Sequence, residues 1–265
     1  MTRVLVLAGT TEATRLAERL VDEGVEVISS LAGVTSHPVP RPGRTRTGGF
    51  GGVAGLRAYL VAERIDALVD ATHPFAAQMP HHAARAAAEA GVPVVRLLRP
   101  AWTPTAGDRW IVVPDLHAAR AELPRLEVRR ALLTVGRRGI EPFLDCRGIS
   151  FVIRAIDAPD EVPPDATVVL ERGPFDLSAE RQLLQEHRVE AVVAKNAGGV
   201  ATRAKLDAAR ELGLPVVMVE RPPQPPIPQV DDVEGALRWL AELTGDGVAG
   251  RNTESAGSPR RAGRC

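Results

Sequence analysis

The chain has 265 residues, 45% hydrophobic and 25% charged, the composition of a soluble globular protein of one large or two ordinary domains. Its 33 basic and 33 acidic side chains cancel, so no overall field recruits nucleic acid or an anionic membrane. Two cysteines, Cys146 and Cys265, exclude a disulfide framework; the six histidines show no ligand spacing, and no apolar run nears the ~20 residues that span a bilayer.

The start, "MTRVLVLAGTTEA", runs directly into a strand without the layout of a signal peptide, so a cytoplasmic setting is expected. "VLVLAG" (4–9) is the first strand, followed by an amphipathic helix from Glu12 to about Glu23 with Leu16, Leu20 and Val21 on one face. Gly9, Thr10, Thr11 and Glu12 lie between them. That turn has two readings: an N-cap by Thr10 or Thr11, or a nucleotide-binding turn in which Gly9 lets backbone approach a ligand and the helix N-terminus welcomes an anion. "VEVISSLAG" (25–33) is the second strand. Where an NAD-binding unit carries an acidic residue, this chain has Ser29 and Ser30, followed by Arg41, Arg44 and Arg46 in a loop over 34–52. Hydroxyls and guanidiniums suit a 2′-phosphate, so a dinucleotide here would be NADP.

A helix containing Leu56, Tyr59 and Leu60 precedes the third strand, "IDALVDA", which runs into "THPFA" and a helix ending near Ala90. Pro74 is expected at the first position of that helix, where its missing N–H costs nothing; His73 and Phe75 have no such architectural reason. "VPVVRLL" (92–98) and "RWIVV" (109–113) complete a first unit, and 115–130 reads as a junction. Strands then resume at 130–136, 149–156, 166–173, 189–199 and 214–222, with helices near 178–187 and 201–212. Residues 222–229 form a stiff proline-rich connector to a closing helix near 232–243.

Nearly continuous apolar strands alternating with helices imply an α/β fold: two Rossmann-like three-layer domains with mostly parallel sheets. Their boundaries are expected at 1–122 and 123–244, with 245–265 a disordered tail and the cleft between domains as the ligand site. Two strand ends of the second unit carry chemistry: Gly136 with Arg137, and Lys195 with Asn196, Gly198 and Gly199. Glycine beside a base suits a polyanion. Lys195 and Lys205 are the only lysines, which suggests a need for a compact ammonium. No G-x-S-x-G, H-E-x-x-H or Walker A motif is present; hydride transfer needs none, because a cofactor carries that chemistry.

In order and spacing, "LVLAGTTEATRLAERL", "SSLAG", "TGGFGG", "VDATHPFA", "LLTVGRRG", "VVAKNAGG" and "VVMVERP" resemble the precorrin-6A reductase family of cobalamin biosynthesis, over residues 1 to about 243. "DATHPFA" and "KNAGG" are the specific elements. The family usually begins with Gly-Gly-Thr where this chain has Ala8-Gly9-Thr10, and usually follows "SLAG" with arginine where this chain has Val34. The resemblance implies NADPH-dependent reduction of precorrin-6A to precorrin-6B, with hydride delivered to the double bond between carbons 18 and 19 of the macrocycle and a proton added to the neighbouring carbon. It places NADPH at Gly9, Thr10, Thr11, Glu12, Ser30, Arg46, Thr72, Gly136 and Arg137. Substrate falls to His73, Phe75, Lys195, Asn196, Gly198, Gly199 and Lys205, with His73 and Lys195 as candidate proton donors and no metal. A monomer is expected, with neighbouring pathway enzymes as transient partners. The alternatives are another NADP-dependent two-domain reductase, or a non-enzymatic two-domain ligand-binding protein.

Overall fold

The computed structural model describes residues 2–32 and 42–245. In chain order it contains β1 (Arg3–Ala8), α1 (Thr11–Asp22), β2 (Glu26–Leu31), β3 (Arg44–Thr47), α2 (Gly52–Ala62), β4 (Ala67–Ala71), α3 (Met79–Ala90) and β5 (Val94–Leu97). There follow β6 (Arg109–Val113), α4 (Leu116–Glu122), β7 (Arg130–Thr134), β8 (Ser150–Ala155), β9 (Thr167–Leu170) and α5 (Leu177–Glu186). The chain closes with β10 (Ala191–Lys195), α6 (Ala204–Glu211), β11 (Pro215–Val219), β12 (Gln229–Val230) and α7 (Val233–Thr244).

Two six-stranded sheets form, ordered β12-β5-β4-β1-β2-β3 and β6-β11-β10-β7-β8-β9, and the ladders between neighbours are parallel. Each is covered on both faces, which is why its central strands are largely apolar, with Asp70 of β4 a buried exception. In β1, alternate side chains face opposite layers: Val4 and Val6 meet Leu16 and Leu20 of α1 and Leu240 of α7, whereas Leu5 and Leu7 meet Leu56 and Leu60 of α2 and Ala83 of α3. The second sheet repeats the arrangement. Leu133 and Val193 pack with Ala119, Leu123 and Phe143; Leu132 and Val192 pack with Leu183, Leu184 and Leu206.

Several expectations are corrected. A division at 122/123 does not follow the sheets, because β6 pairs with β11 in the second sheet while β12 returns to pair with β5 in the first. The expected junction is helical, α4 with a 3₁₀ turn over Leu123–Leu126. Residues 44–47 lie in the expected loop but form an edge strand against β2. Pro74 does not begin α3. The Ala76 N–H bonds the His73 carbonyl at 2.7 Å in a separate turn, and α3 starts at Met79 with Pro80 in its first turn. The 246–265 part of the expected tail lies outside the described residues, as do Val34 and Arg41.

Each sheet has one point where strand order reverses. In the first the chain runs outward from β1 through β2 and β3, then from β4 through β5; in the second it runs from β7 through β8 and β9, then from β10 through β11. Crevices at the carboxyl ends of strands flanking such a point are where open α/β sheets bind ligands. The loops there are 9–11 and 72–78 in the first sheet, and 135–139 and 196–203 in the second.

Candidate functional site at the two switch points

Thr10 explains the local geometry of the first loop. Its hydroxyl accepts from the Ala13 N–H (3.2 Å) as the N-cap of α1 and donates to the Ala71 carbonyl (3.1 Å). The cap and the link between β1 and β4 therefore use one side chain. A Cβ on Gly9 would lie 3.2 Å from the His73 nitrogen and 3.5 Å from Thr72 Cα, so glycine lets the 72–73 backbone cross directly over the turn. Thr11 is exposed. Glu12 accepts from Arg99 Nη1 at 2.7 Å.

Ser30 and Arg46 are in contact. Arg46 Nη1 donates to Ser30 Oγ (2.8 Å) and the Gly48 carbonyl (3.0 Å), and Nη2 to the Gly49 carbonyl (3.0 Å). Its guanidinium lies 3.8 Å above the Phe50 ring. The result is a fixed, flat cation at the end of β3, the geometry that suits phosphate recognition. Arg44 instead turns outward to Glu63, at 2.7 and 3.0 Å.

The "DATHPF" segment presents His73 and Phe75 to the second sheet. The Phe75 N–H donates to His73 Nδ1 at 3.2 Å, which leaves the proton of the neutral ring on Nε2. Burial, with the charges of Arg99, Lys195 and Arg221, pulls the His73 pKa down to about 4. Phe75 packs against the core of the second sheet, and the Lys195 ammonium lies 5.4 Å from the centre of its ring. Burial also lowers the Lys195 pKa. Gly136, at φ +73, has open space where a Cβ would point, and Arg137 opens the 3₁₀ turn that follows it.

Four residues expected to touch substrate make contacts within the protein. Asn196 accepts from the Trp102 N–H (2.8 Å) and donates to its carbonyl (3.0 Å), binding main chain as a neighbouring strand would. Gly198 and Gly199 allow the 99–102 segment to pass: a Cβ on Gly198 would sit 2.0 Å from the Pro100 carbonyl oxygen, and one on Gly199 2.7 Å from Arg99 Cδ. Lys205 is 4% exposed, donates to the Thr202 carbonyl at 2.5 Å and lies 5.1 Å from the Trp102 ring; burial first, then Arg154, pulls its pKa down to about 7.

Arg99, Trp102 and Arg221 carry the junction and were not singled out from the sequence. Arg221 donates to the carbonyls of Asn196 (2.9 Å), Arg99 (3.0 Å) and Ala197 (3.1 Å); burial leads the fall of its pKa to about 10. Arg99 Nε donates to the Ala197 carbonyl at 2.8 Å while Nη1 holds Glu12, so one side chain spans the 9–12 and 196–199 loops. The arginine closing "VVMVER" directly follows a strand on the loop-bearing edge, and that position was the available signal. Three cations thus bear on His73 while Glu12 meets Arg99 alone, a field that favours an anionic ligand.

No group of three or more His, Cys, Asp or Glu among the described residues could hold a metal ion, and none of their helices is long and apolar enough to cross a membrane. A hollow of about 240 Å³ beside α5 is lined by Arg154, Glu171, Phe175 and His187 among others, and by no expected site residue.

Residues 3–241 match the family described as precorrin-6x reductase CbiJ/CobK. The chain is 51% identical over 247 residues to a precorrin-6A reductase of Rhodococcus erythropolis, covering 92% of this chain and 99% of that one. It is 48% identical over 244 residues to one of Rhodobacter capsulatus, covering 91% and 97%. A solved structure of CobK precorrin-6A reductase superposes with a TM-score of 0.88 at 47% identity, covering 92% of this chain and 97% of that one.

Proposed function

Because the chain belongs to the precorrin-6x reductase CbiJ/CobK family, we propose that it reduces precorrin-6A to precorrin-6B with NADPH in cobalamin biosynthesis. The observation that carries this reading is the meeting of "GTTE", "THPF" and the Lys195 strand end at two switch points beneath a local excess of positive charge. About half of the sequence is identical to relatives named for the metal-free substrate, which favours that form.

The residues fit the cofactor. Gly9 admits backbone close to the start of α1, where N–H groups at a helix N-terminus suit a pyrophosphate. Ser30 and Arg46 offer a hydroxyl and a stacked guanidinium to the 2′-phosphate. Thr72, Gly136 and Arg137 border the rest of the cleft. When bound, NADPH supplies the hydride; the chain's residues orient and neutralise. His73, held neutral with its proton on Nε2, is a hydrogen-bond donor at pH 7 and not an acid. Phe75 offers an apolar wall to the macrocycle. Lys195 neutralises a substrate carboxylate, and its lowered pKa makes it the better candidate to give the proton at the carbon beside the one reduced.

NADPH oxidation with precorrin-6A by the wild type, His73→Ala and Lys195→Ala tests the assignment. Both variants are expected to lose at least tenfold in kcat/KM, the size of one lost contact to a charged or buried group. Wild-type kinetics in both would remove these two residues from the site.

A further inference from the structure

Below the "THPF" turn lies an ion pair that the proposed chemistry leaves unused. Asp70 and Arg96 are both 0% exposed, neighbours in register on β4 and β5, and Arg96 Nη1 donates to Asp70 Oδ2. The other carboxylate oxygen, Oδ1, accepts from the Thr72 N–H at 3.1 Å and the Thr72 hydroxyl at 2.7 Å. Both ends of the carboxylate are thereby engaged, one by the sheet and one by the loop.

Stability alone does not account for this pair. Desolvating two charges commonly outweighs their attraction, and apolar replacements of similar volume are often as stable or more so. Arg96 is an unfavourable buried cation in particular, because its Nε and Nη2 have no acceptor among the described residues. It is also fixed from the opposite side: its N–H donates to the Pro228 carbonyl at 2.9 Å, and its ladder partner is Gln229 of β12, the strand that returns from the far end of the chain.

The geometry points to Asp70 as a positioning residue acting through Thr72, with Arg96 as its anchor. Thr72 is gripped by Asp70 on one side, and on the other its neighbour Ala71 is held by the Thr10 hydroxyl. Two bonds to one carboxylate oxygen fix the peptide that leads into His73, and that peptide passes close over Gly9. The His73 ring, set by the Phe75 N–H two residues further on, inherits its place from Asp70. This inference rests on the reading above for what His73 faces, but the arrangement of the ring is a property of the free protein.

The experiment uses two readouts on the full chain with ¹⁵N-labelled histidine. The first is the His73 ring resonances without ligand; the second is the kcat and KM of NADPH oxidation with precorrin-6A. Thr72→Val removes the hydroxyl and keeps the volume, and Asp70→Asn removes the charge facing Arg96. Thr72→Val is expected to move the His73 signals and lower kcat roughly tenfold, the size of one hydrogen bond to a charged group. Thr72→Ser is expected to recover both readouts. Loss of kcat with the His73 signals unmoved would overturn the inference, since Thr72 would then act on the ligand directly. Moved signals with unchanged kcat would overturn it as well. Should Asp70→Asn fail to fold, the threonine pair still decides. If the wild type itself does not oxidise NADPH with precorrin-6A, the functional reading fails, and the histidine spectra alone then decide whether Asp70 sets the ring.

Discussion

Replacing Gly198 with alanine separates the two uses a glycine loop can have. Gly198 holds φ +68, and its added Cβ would meet the Pro100 carbonyl oxygen at 2.0 Å and Arg221 Nη2 at 2.6 Å. The left-handed conformation costs an alanine about 1 kcal/mol, and forcing an atom into filled space costs roughly 2 kcal/mol more. Because the carbonyl belongs to main chain, relief requires the 99–102 segment to move, and with it Arg99 and the Asn196 clamp on Trp102. Gly91→Ala is the control. Gly91, which closes α3, is also left-handed at φ +68 and ψ 26, but nothing lies within 4 Å of the new atom, so only the conformational cost of about 1 kcal/mol applies. Urea unfolding of both variants against the wild type should give about 3 kcal/mol lost for Gly198→Ala and about 1 kcal/mol for Gly91→Ala. Equal losses would refute the claim that the 198–199 glycines exist to let the 99–102 segment pass.

Arg46→Ala should raise the KM for NADPH by about ten- to a hundredfold while leaving that for NADH nearly unchanged, as expected for a charged contact to the 2′-phosphate; steady-state kinetics with both nucleotides measure it. His73, with its pKa lowered to about 4, should show no titration in NMR spectra between about pH 5 and pH 8, a range that contains the ordinary histidine value. For Lys205 the folded pKa of about 7 lies below the unfolded value of about 10.4. The unfolded chain therefore binds the extra proton between those values, and the penalty of burying the amine is full below about pH 7 and fades towards pH 10. Denaturation at several pH values should accordingly show Lys205→Met gaining on the wild type as pH falls through that window, and a pH-independent difference would contradict the burial of a titrating amine.

The layers of the fold were legible because parallel strands buried on both faces are mostly apolar. "VLVLA", "ALVDA", "RALLT" and "AVVAK" stand out for that reason, and the loops after them could be placed on one edge by handedness alone. The exceptions have physical causes. β3, Arg44–Thr47, is an exposed edge strand with no buried residue, so its pattern is that of a loop. "RWIVV" reads as a strand-former without stating which sheet it joins, "QV" is too short to stand out at the end of the proline-rich connector, and pairing is settled by tertiary packing. Pro74 suited a helix start, but the Asp70 bonds to Thr72 hold a separate turn, and Pro80 performs the role six residues later. At the site, "GTTE", "THPF" and Lys195 lie at the switch-point loops of the two sheets, while Asn196, Gly198, Gly199 and Lys205, read for a ligand, make contacts within the protein. Glycine beside a base has the same pattern whether the close neighbour is a phosphate or another stretch of main chain. Arg99 and Arg221 were hidden by composition, since nearly every base in this chain is an arginine.

The measurement that bears most directly on the central claim follows the hydride. The purified protein would be supplied with precorrin-6A and NADPH deuterated at the transferring carbon of the nicotinamide, each face in turn, and the product examined by mass spectrometry. One label is expected to transfer a single deuterium to a macrocycle carbon, with one NADPH oxidised per product formed. NADPH oxidation with no deuterium in the tetrapyrrole from either face, or reduction that proceeds without NADPH, would contradict the account.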